Sequence, residues 1–309
     1  MTKICFIGDI HGKVKSPSNY LSDYNNDLFN QLQWIKNYCE SNGIDTIIHL
    51  GDIFDKPEAT DEWKNRFIEQ WRDYKGTFYS IIGAAHDLFF NQANSYDRTC
   101  LKNLELANII KVIDSVSFDI GTVRIHSLST FLSNAKEQIK VLPYDATKDN
   151  IIVAHQFYEW GLDKNAGFTE RDFDSLTTNV SLILGHDHHQ YETVYNGYLS
   201  VYRPGSFMRT ELSESTINMI PRVLIYDNGI FNYINVPCKD INDVYNVSEY
   251  RVKKSKIFKE IKNNIKDIAN YINKPNDVLL CSTFLKETEC PTEVFDYLKT
   301  VHQVSGVEF

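Results

Sequence analysis

The sequence contains no run of about 18 apolar residues, so a membrane-spanning helix is not expected. Its six cysteines, Cys5, Cys39, Cys100, Cys238, Cys281 and Cys290, include no CxxC pair and sit mostly among apolar neighbours. That argues against a disulfide framework and suits reduced, buried thiols. No internal repeat or low-complexity linker interrupts the chain. A broad basic surface is missing as well: the formal charge is −9, which argues against gripping duplex DNA by net charge alone but leaves room for a local basic groove. The opening MTKICFIGD reads as a strand and lacks a signal-peptide layout, which makes a cytoplasmic location the expectation.

What is present can build a large core. With 309 residues, 42% of them hydrophobic and 13% aromatic, the chain exceeds the usual single-domain size, and one large α/β domain with a small appendage is expected. The run KICFIG ends in glycine and reads as a buried strand. Leu28, Leu32, Ile35 and Cys39 recur at helical spacing, with Gly43 placed to end that helix. The strand DTIIHL follows. Thr60 is positioned to cap a second helix whose Trp63, Phe67, Trp71 and Tyr74 form one face, and TFYSIIG is a third strand. This alternation predicts parallel β-α-β crossovers, whose ligands gather at the carboxyl ends of the strands.

From about residue 115 the pattern changes to short apolar runs: VSFDI, VRIHSL, NIIVAH, VSLILGH, YLSVYR, RVLIYD and FNYINV. These predict a second sheet packed on the first, with helices outside. The boundary falls at residue 237. Residues 238–309 are expected to form the small C-terminal α/β appendage, with a helix carrying Ile257, Ile261, Ile265, Ile268 and Ile272, then VLLCSTFL as a strand and PTEVFDYLKTV as a helix.

Ionisable residues concentrate at predicted strand ends: Asp9-Ile10-His11, Gly51-Asp52, Ala85-His86-Asp87, Ala154-His155-Gln156 and Gly185-His186-Asp187-His188-His189. Six of the nine histidines lie in these five elements, so they form a set rather than a scatter. Carboxylate with imidazole suits divalent manganese, iron or zinc. In an extended or sharply turning segment, the outer residues of Asp-x-His and His-x-His point the same way and can reach one cluster.

In this order the five elements resemble the calcineurin-like metallophosphoesterase superfamily, over about residues 3–236. The resemblance implies a two-sheet sandwich flanked by helices. It also implies that Asp9, His11 and His188 hold one metal, that His155 and His186 hold a second, and that Asp52 bridges them. The pair, most readily Mn2+ with Fe2+ or Zn2+ as alternatives, would hold a hydroxide nucleophile and neutralise phosphate oxygens. His86 matches the family's non-ligand histidine, which orients the phosphate or protonates the leaving oxygen, work that an imidazole performs near neutral pH. Asp87 is either the residue that orients His86 or a turn residue. His49 is a core or supporting histidine and His189 a rim contact. The family carries Gly-Asn-His-Asp at the third element, its Asn ligating the second metal; here Gly83-Ala84-Ala85-His86-Asp87 stands there, and alanine cannot ligate.

Within the superfamily, Gly51-Asp52-Ile53-Phe54-Asp55, the segment Tyr202-Arg203-Pro204-Gly205-Ser206 and the appendage are most similar to the SbcD-type DNA repair nucleases. That branch implies exonuclease or endonuclease action on DNA, an SbcC-type ATPase partner and a homodimer. Candidate phosphate contacts are Lys13 and Lys15, Arg203 and Arg209, and the cluster Arg251, Lys253, Lys254, Lys256 and Lys259. Two other functions stay open: a small-molecule phosphoesterase acting on nucleotides or cyclic nucleotides, and a weakened phosphoesterase that binds without cutting.

Overall fold

The computed structural model describes residues 2–13, 15–17, 19–83, 85–158 and 167–256, with the backbone alone at Ser215. In chain order the elements are β1 (Lys3–Ile7), α1 (Tyr24–Ser41), β2 (Thr46–His49), α2 (Asp61–Trp71), β3 (Thr77–Ser80), α3 (Cys100–Leu106), β4 (Lys111–Val112), β5 (Ser117–Ile120) and β6 (Val123–Ser127). They continue as α4 (Leu132–Ile139), β7 (Asp149–His155), β8 (Phe157–Tyr158), β9 (Gly167–Phe168), β10 (Val180–Gly185), β11 (Val194–Asn196), β12 (Leu199–Tyr202), α5 (Glu214–Ile217), β13 (Arg222–Asp227), β14 (Ile230–Asn235) and α6 (Ile241–Val244).

Twelve of these strands form two six-stranded mixed sheets, ordered β14-β13-β1-β2-β3-β4 and β11-β12-β10-β7-β6-β5, and β8 pairs with β9 in a separate two-stranded sheet. Alternation along β1 shows why they stack. Ile4 and Phe6 join Ile48, Ile151, Val153 and Ile183 in the core between the sheets. Cys5 and Ile7 face the other way, onto Leu28, Leu32 and Ile35 of α1. On the far side of the second sheet, Ile152, Ala154, Leu182 and Leu184 pack with Ala135 and Ile139 of α4. Both helices expected between the first strands are present and capped: the Asp23 side chain accepts from Asn26 N, and the Thr60 side chain from Trp63 N. Gly43, at φ 65°, follows the end of α1.

One expectation is corrected. RVLIYD and FNYINV do not belong to the second sheet: β13 pairs antiparallel with β1, and β14 with β13. β13 is apolar on both faces because it is a central strand. Val223 and Ile225 meet the helices, while Leu224 and Tyr226 enter the core between the sheets.

Contacts separate Met1–Tyr245 from Asn246–Phe309. Residues 238–245 are tied to the first unit: Lys239 Nζ pairs with Asp27 at 2.7 Å, and the Tyr245 ring meets Tyr20 edge-on at 5.0 Å. In the second unit, residues 247–256 are helical. The appendage segments expected from Ile257 onward lie outside the described residues. No helix among the described residues is long and apolar enough to cross a membrane.

Candidate metal centre

Strands β1, β2 and β3 are parallel, as are β7 and β10, so the loops after them open along their carboxyl ends. The first two loops are stitched together: Ile10 N and His11 N donate to Asp52 O at 3.1 and 2.9 Å, and Gly12 N to Ile53 O at 2.8 Å. Sharp turns are needed to aim the side chains inward. His11, Asp52 and His186 have φ values of 48°, 62° and 82°. Left-handed backbone is uncommon outside glycine and costs roughly 1–3 kcal/mol per residue, and three such residues at one spot mark where the fold holds strain.

These turns bring together all six residues expected as ligands. Asp9, His11 and His188 form one group and Asp52, His155 and His186 another, each offering ligand atoms within 4.8 Å of one another. A third group, His11, Asp52 and His86, overlaps both. His11 Nε2 lies 2.8 Å from His188 Nε2, and His188 Nε2 lies 3.4 Å from Asp9 Oδ2. Across the site, His155 Nε2 is 3.2 Å from Asp52 Oδ2. The His155 Nδ1–H donates to Leu50 O at 2.7 Å, which turns the Nε2 edge toward Asp52.

The electrostatics are those of a site built for positive charge. Burial disfavours charge on His155, yet the carboxylates of Asp52 and Asp9 outweigh it and raise its pKa to about 10. Burial likewise opposes ionisation of Asp9, but His155, His188 and His11 hold its pKa below the usual carboxylate range. Burial dominates at His11, lowering it to about 4. The Asp52 Oδ1 atom is buried without a hydrogen-bond partner. A Cβ at Gly83 would collide with that oxygen, so glycine there keeps room for the carboxylate. An unpartnered buried carboxylate oxygen between two imidazole groups fits a pair of divalent cations.

The other expected residues fall in different places. His86 is half-buried and its Nδ1–H donates to Asp55 O at 2.7 Å. Asp87 does not orient it. Its Oδ2 accepts from Gly83 N at 2.7 Å and Asp52 N at 3.0 Å, and burial together with the Asp52 charge raises its pKa to about 8. His49 is a core histidine, bonded through Nδ1 to Ser80 Oγ at 3.1 Å and held neutral by burial, its pKa lowered to about 3. His189 lies at the rim, with Nδ1 3.0 Å from Asp187 Oδ1.

Ala85 is exposed and offers no donor. Among the expected DNA contacts, Lys13 Nζ pairs with Asp55 Oδ1 at 2.8 Å. Arg209 is corrected to a structural residue: it is buried, donating through Nε to Met219 O at 2.9 Å and through Nη1 to Lys239 O at 3.0 Å. Arg203 is buried against Tyr191. Lys253 pairs with Glu249, while Lys259 lies outside the described residues.

Sequence reasoning missed how closely the Tyr202–Ser206 segment supports the centre. Ser206 N donates to His188 O at 3.1 Å and Phe207 N to Asp9 O at 2.8 Å. A Cβ at Gly8 would collide with the Gly205 carbonyl, so two glycines let this segment press against the loop carrying Asp9. The Pro-Gly-Ser string was the available signal.

The sequence pattern of calcineurin-like phosphoesterases matches residues 2–190. No curated protein matches the chain. Among solved structures, TT1561 of Thermus thermophilus is similar at 12% identity, over 76% of this chain and 99% of its own, with a TM-score of 0.48. A dimetal phosphatase from Danio rerio is similar at 10% identity, over 76% of this chain and 99% of its own, with a TM-score of 0.46. The calcineurin-like phosphoesterase YfkN from Bacillus subtilis is similar at 12% identity, over 78% and 94%, with a TM-score of 0.42.

Proposed function

The chain belongs to the calcineurin-like phosphoesterase family, and from that premise we propose that it is a metal-dependent nuclease that hydrolyses the phosphodiesters of DNA. The observation that carries the hydrolytic part is the position of Asp52, buried, common to the group with His11 and His86 and the group with His155 and His186, and with one oxygen unpartnered. Divalent ions bound there, manganese first among the candidates, would supply Lewis acidity toward phosphate oxygens and lower the pKa of water. The chain's own residues do the rest. Asp9, His11 and His188 would hold one ion, His155 and His186 the other, with Asp52 between them. His86, fixed through Nδ1 by the Asp55 carbonyl, presents its other ring nitrogen to the leaving oxygen and delivers a proton there.

DNA as substrate is supported by the likeness of Gly51–Asp55 and Tyr202–Ser206 to the SbcD-type branch. The same likeness proposes an SbcC-type ATPase and a second copy of the chain as partners. A second reading, a small-molecule phosphoesterase, is favoured by a cavity of about 490 Å³ beside His186 and His188. Its described lining includes Asp187 and Glu211 and neither lysine nor arginine.

End-labelled linear duplex and single-stranded DNA, incubated with Mn2+, Mg2+ or no metal, separates the two readings. Manganese-dependent products that His186→Ala abolishes are expected. Turnover of bis-p-nitrophenyl phosphate with intact DNA would favour the small substrate.

A further inference from the structure

Arg203 is a buried cation that the hydrolytic chemistry leaves without a role. Directly after β12, it is 4% exposed, and its guanidinium lies 3.7 Å from the centre of the Tyr191 ring. Among the described residues it forms no ion pair, and its Nε is buried without a hydrogen-bond partner. The neighbouring carboxylate, Asp187, favours the guanidinium's charge without an ion pair to it, and is itself held by His189 through its N–H at 3.1 Å and its ring at 3.0 Å.

Nearby arginines show the contrast. Arg222 donates to the carbonyls of Tyr191, Arg203 and Pro204, and Arg209 to those of Met219 and Lys239. Buried guanidinium is normally paired, because leaving its charge and donors unmatched is costly. Stacking on Tyr191 uses the face of the group and leaves its in-plane N–H donors for a planar or tetrahedral oxyanion.

The location ties this cation to the centre. Arg203 stands three residues before Ser206, whose amide bonds His188 O, and Tyr191 stands three residues after His188. Two segments anchored on one candidate metal ligand therefore converge on the guanidinium. We propose that Arg203 is a phosphate subsite that receives the phosphate next to the scissile one. This inference rests on the polynucleotide reading above and deepens it. The subsite favours substrates with consecutive phosphates over those with one.

The test uses the full chain and a labelled single-stranded oligonucleotide bound across a salt series. It also compares kcat/KM for the oligonucleotide with that for bis-p-nitrophenyl phosphate. Arg203→Gln is expected to weaken binding roughly tenfold, to lower the salt slope by about one unit and to reduce the ratio of the two kcat/KM values. Arg203→Lys, which keeps the charge without the fork, is expected to restore the slope. Unchanged affinity and slope in Arg203→Gln would overturn the proposal while leaving the nuclease reading intact. So would parallel loss of both substrates with a lowered melting temperature, which marks a packing residue. A native chain that neither binds nor cuts the oligonucleotide would overturn the nuclease reading, and this inference with it.

Discussion

The Asp87 carboxylate accepts the backbone N–H of Asp52 at 3.0 Å, and through the same oxygen it also accepts that of Gly83 at 2.7 Å. It therefore sets the left-handed turn that carries Asp52, the shared candidate ligand, although it lies only one residue from His86. Asp87→Ala removes the acceptor for two buried amides. We expect a loss of about 2–4 kcal/mol in stability, measured by denaturant unfolding, together with weaker ion binding. Asp87→Asn keeps an oxygen for these amides and should lose less.

His86 is anchored by a carbonyl rather than by that carboxylate, so its task is separable. His86→Ala should lower kcat by about 10²–10⁴-fold, the range of a lost general acid. Metal content measured after dialysis should stay near that of the native chain. A variant with native turnover would remove His86 from the chemistry.

Proton release reports how the centre exchanges charge. With its pKa raised to about 10 by the carboxylates, His155 in the metal-free protein carries a proton at pH 7.5, and a cation must expel it. Calorimetry of Mn2+ binding in buffers of different ionisation heat should show about one proton released per site formed. The sign for stability follows from the same shift. The His155 contribution is fully present below the unfolded value near 6.5 and is lost as pH rises through about 10. Asp87, raised to about 8, acts in the same direction, its penalty growing as pH climbs toward that value. The metal-free protein should therefore melt at lower temperature as pH rises from about 7 to 10, and metal should flatten the profile.

Ala85 offers a gain of function. Because the group Asp52, His155 and His186 has no donor from this exposed residue, Ala85→Asn should tighten the weaker of two binding steps and raise turnover at limiting metal. Stoichiometric titration with Mn2+ checks it. Identical binding curves would show that the second ion is held without a donor at this position.

Much of this arrangement was legible in the sequence because it depends on local signals. Strand ends, the Thr60 cap and the order Asp9, His11, Asp52, His155, His186, His188 are written within a few residues of each site. What was not legible is set by contacts between distant segments. The apolar pattern of β13 shows that both its faces are covered, but not that β1 is its partner. Arg209 and Arg203 read alike as basic residues after the last motif, and only folding shows one bonded to two carbonyls and the other stacked on Tyr191 with no ion pair among the described residues. Proximity in sequence suggested that Asp87 serves His86, whereas the turn points its carboxylate at the amides of Asp52 and Gly83.

The most direct test of the account is Mn2+-dependent hydrolysis of bis-p-nitrophenyl phosphate by the native chain and by Asp52→Asn, with bound metal counted in the same samples. Turnover that needs added metal, and that falls together with metal content when Asp52 loses its charge, is the predicted result. Turnover that survives chelation, or that Asp52→Asn leaves at the native level, would contradict it.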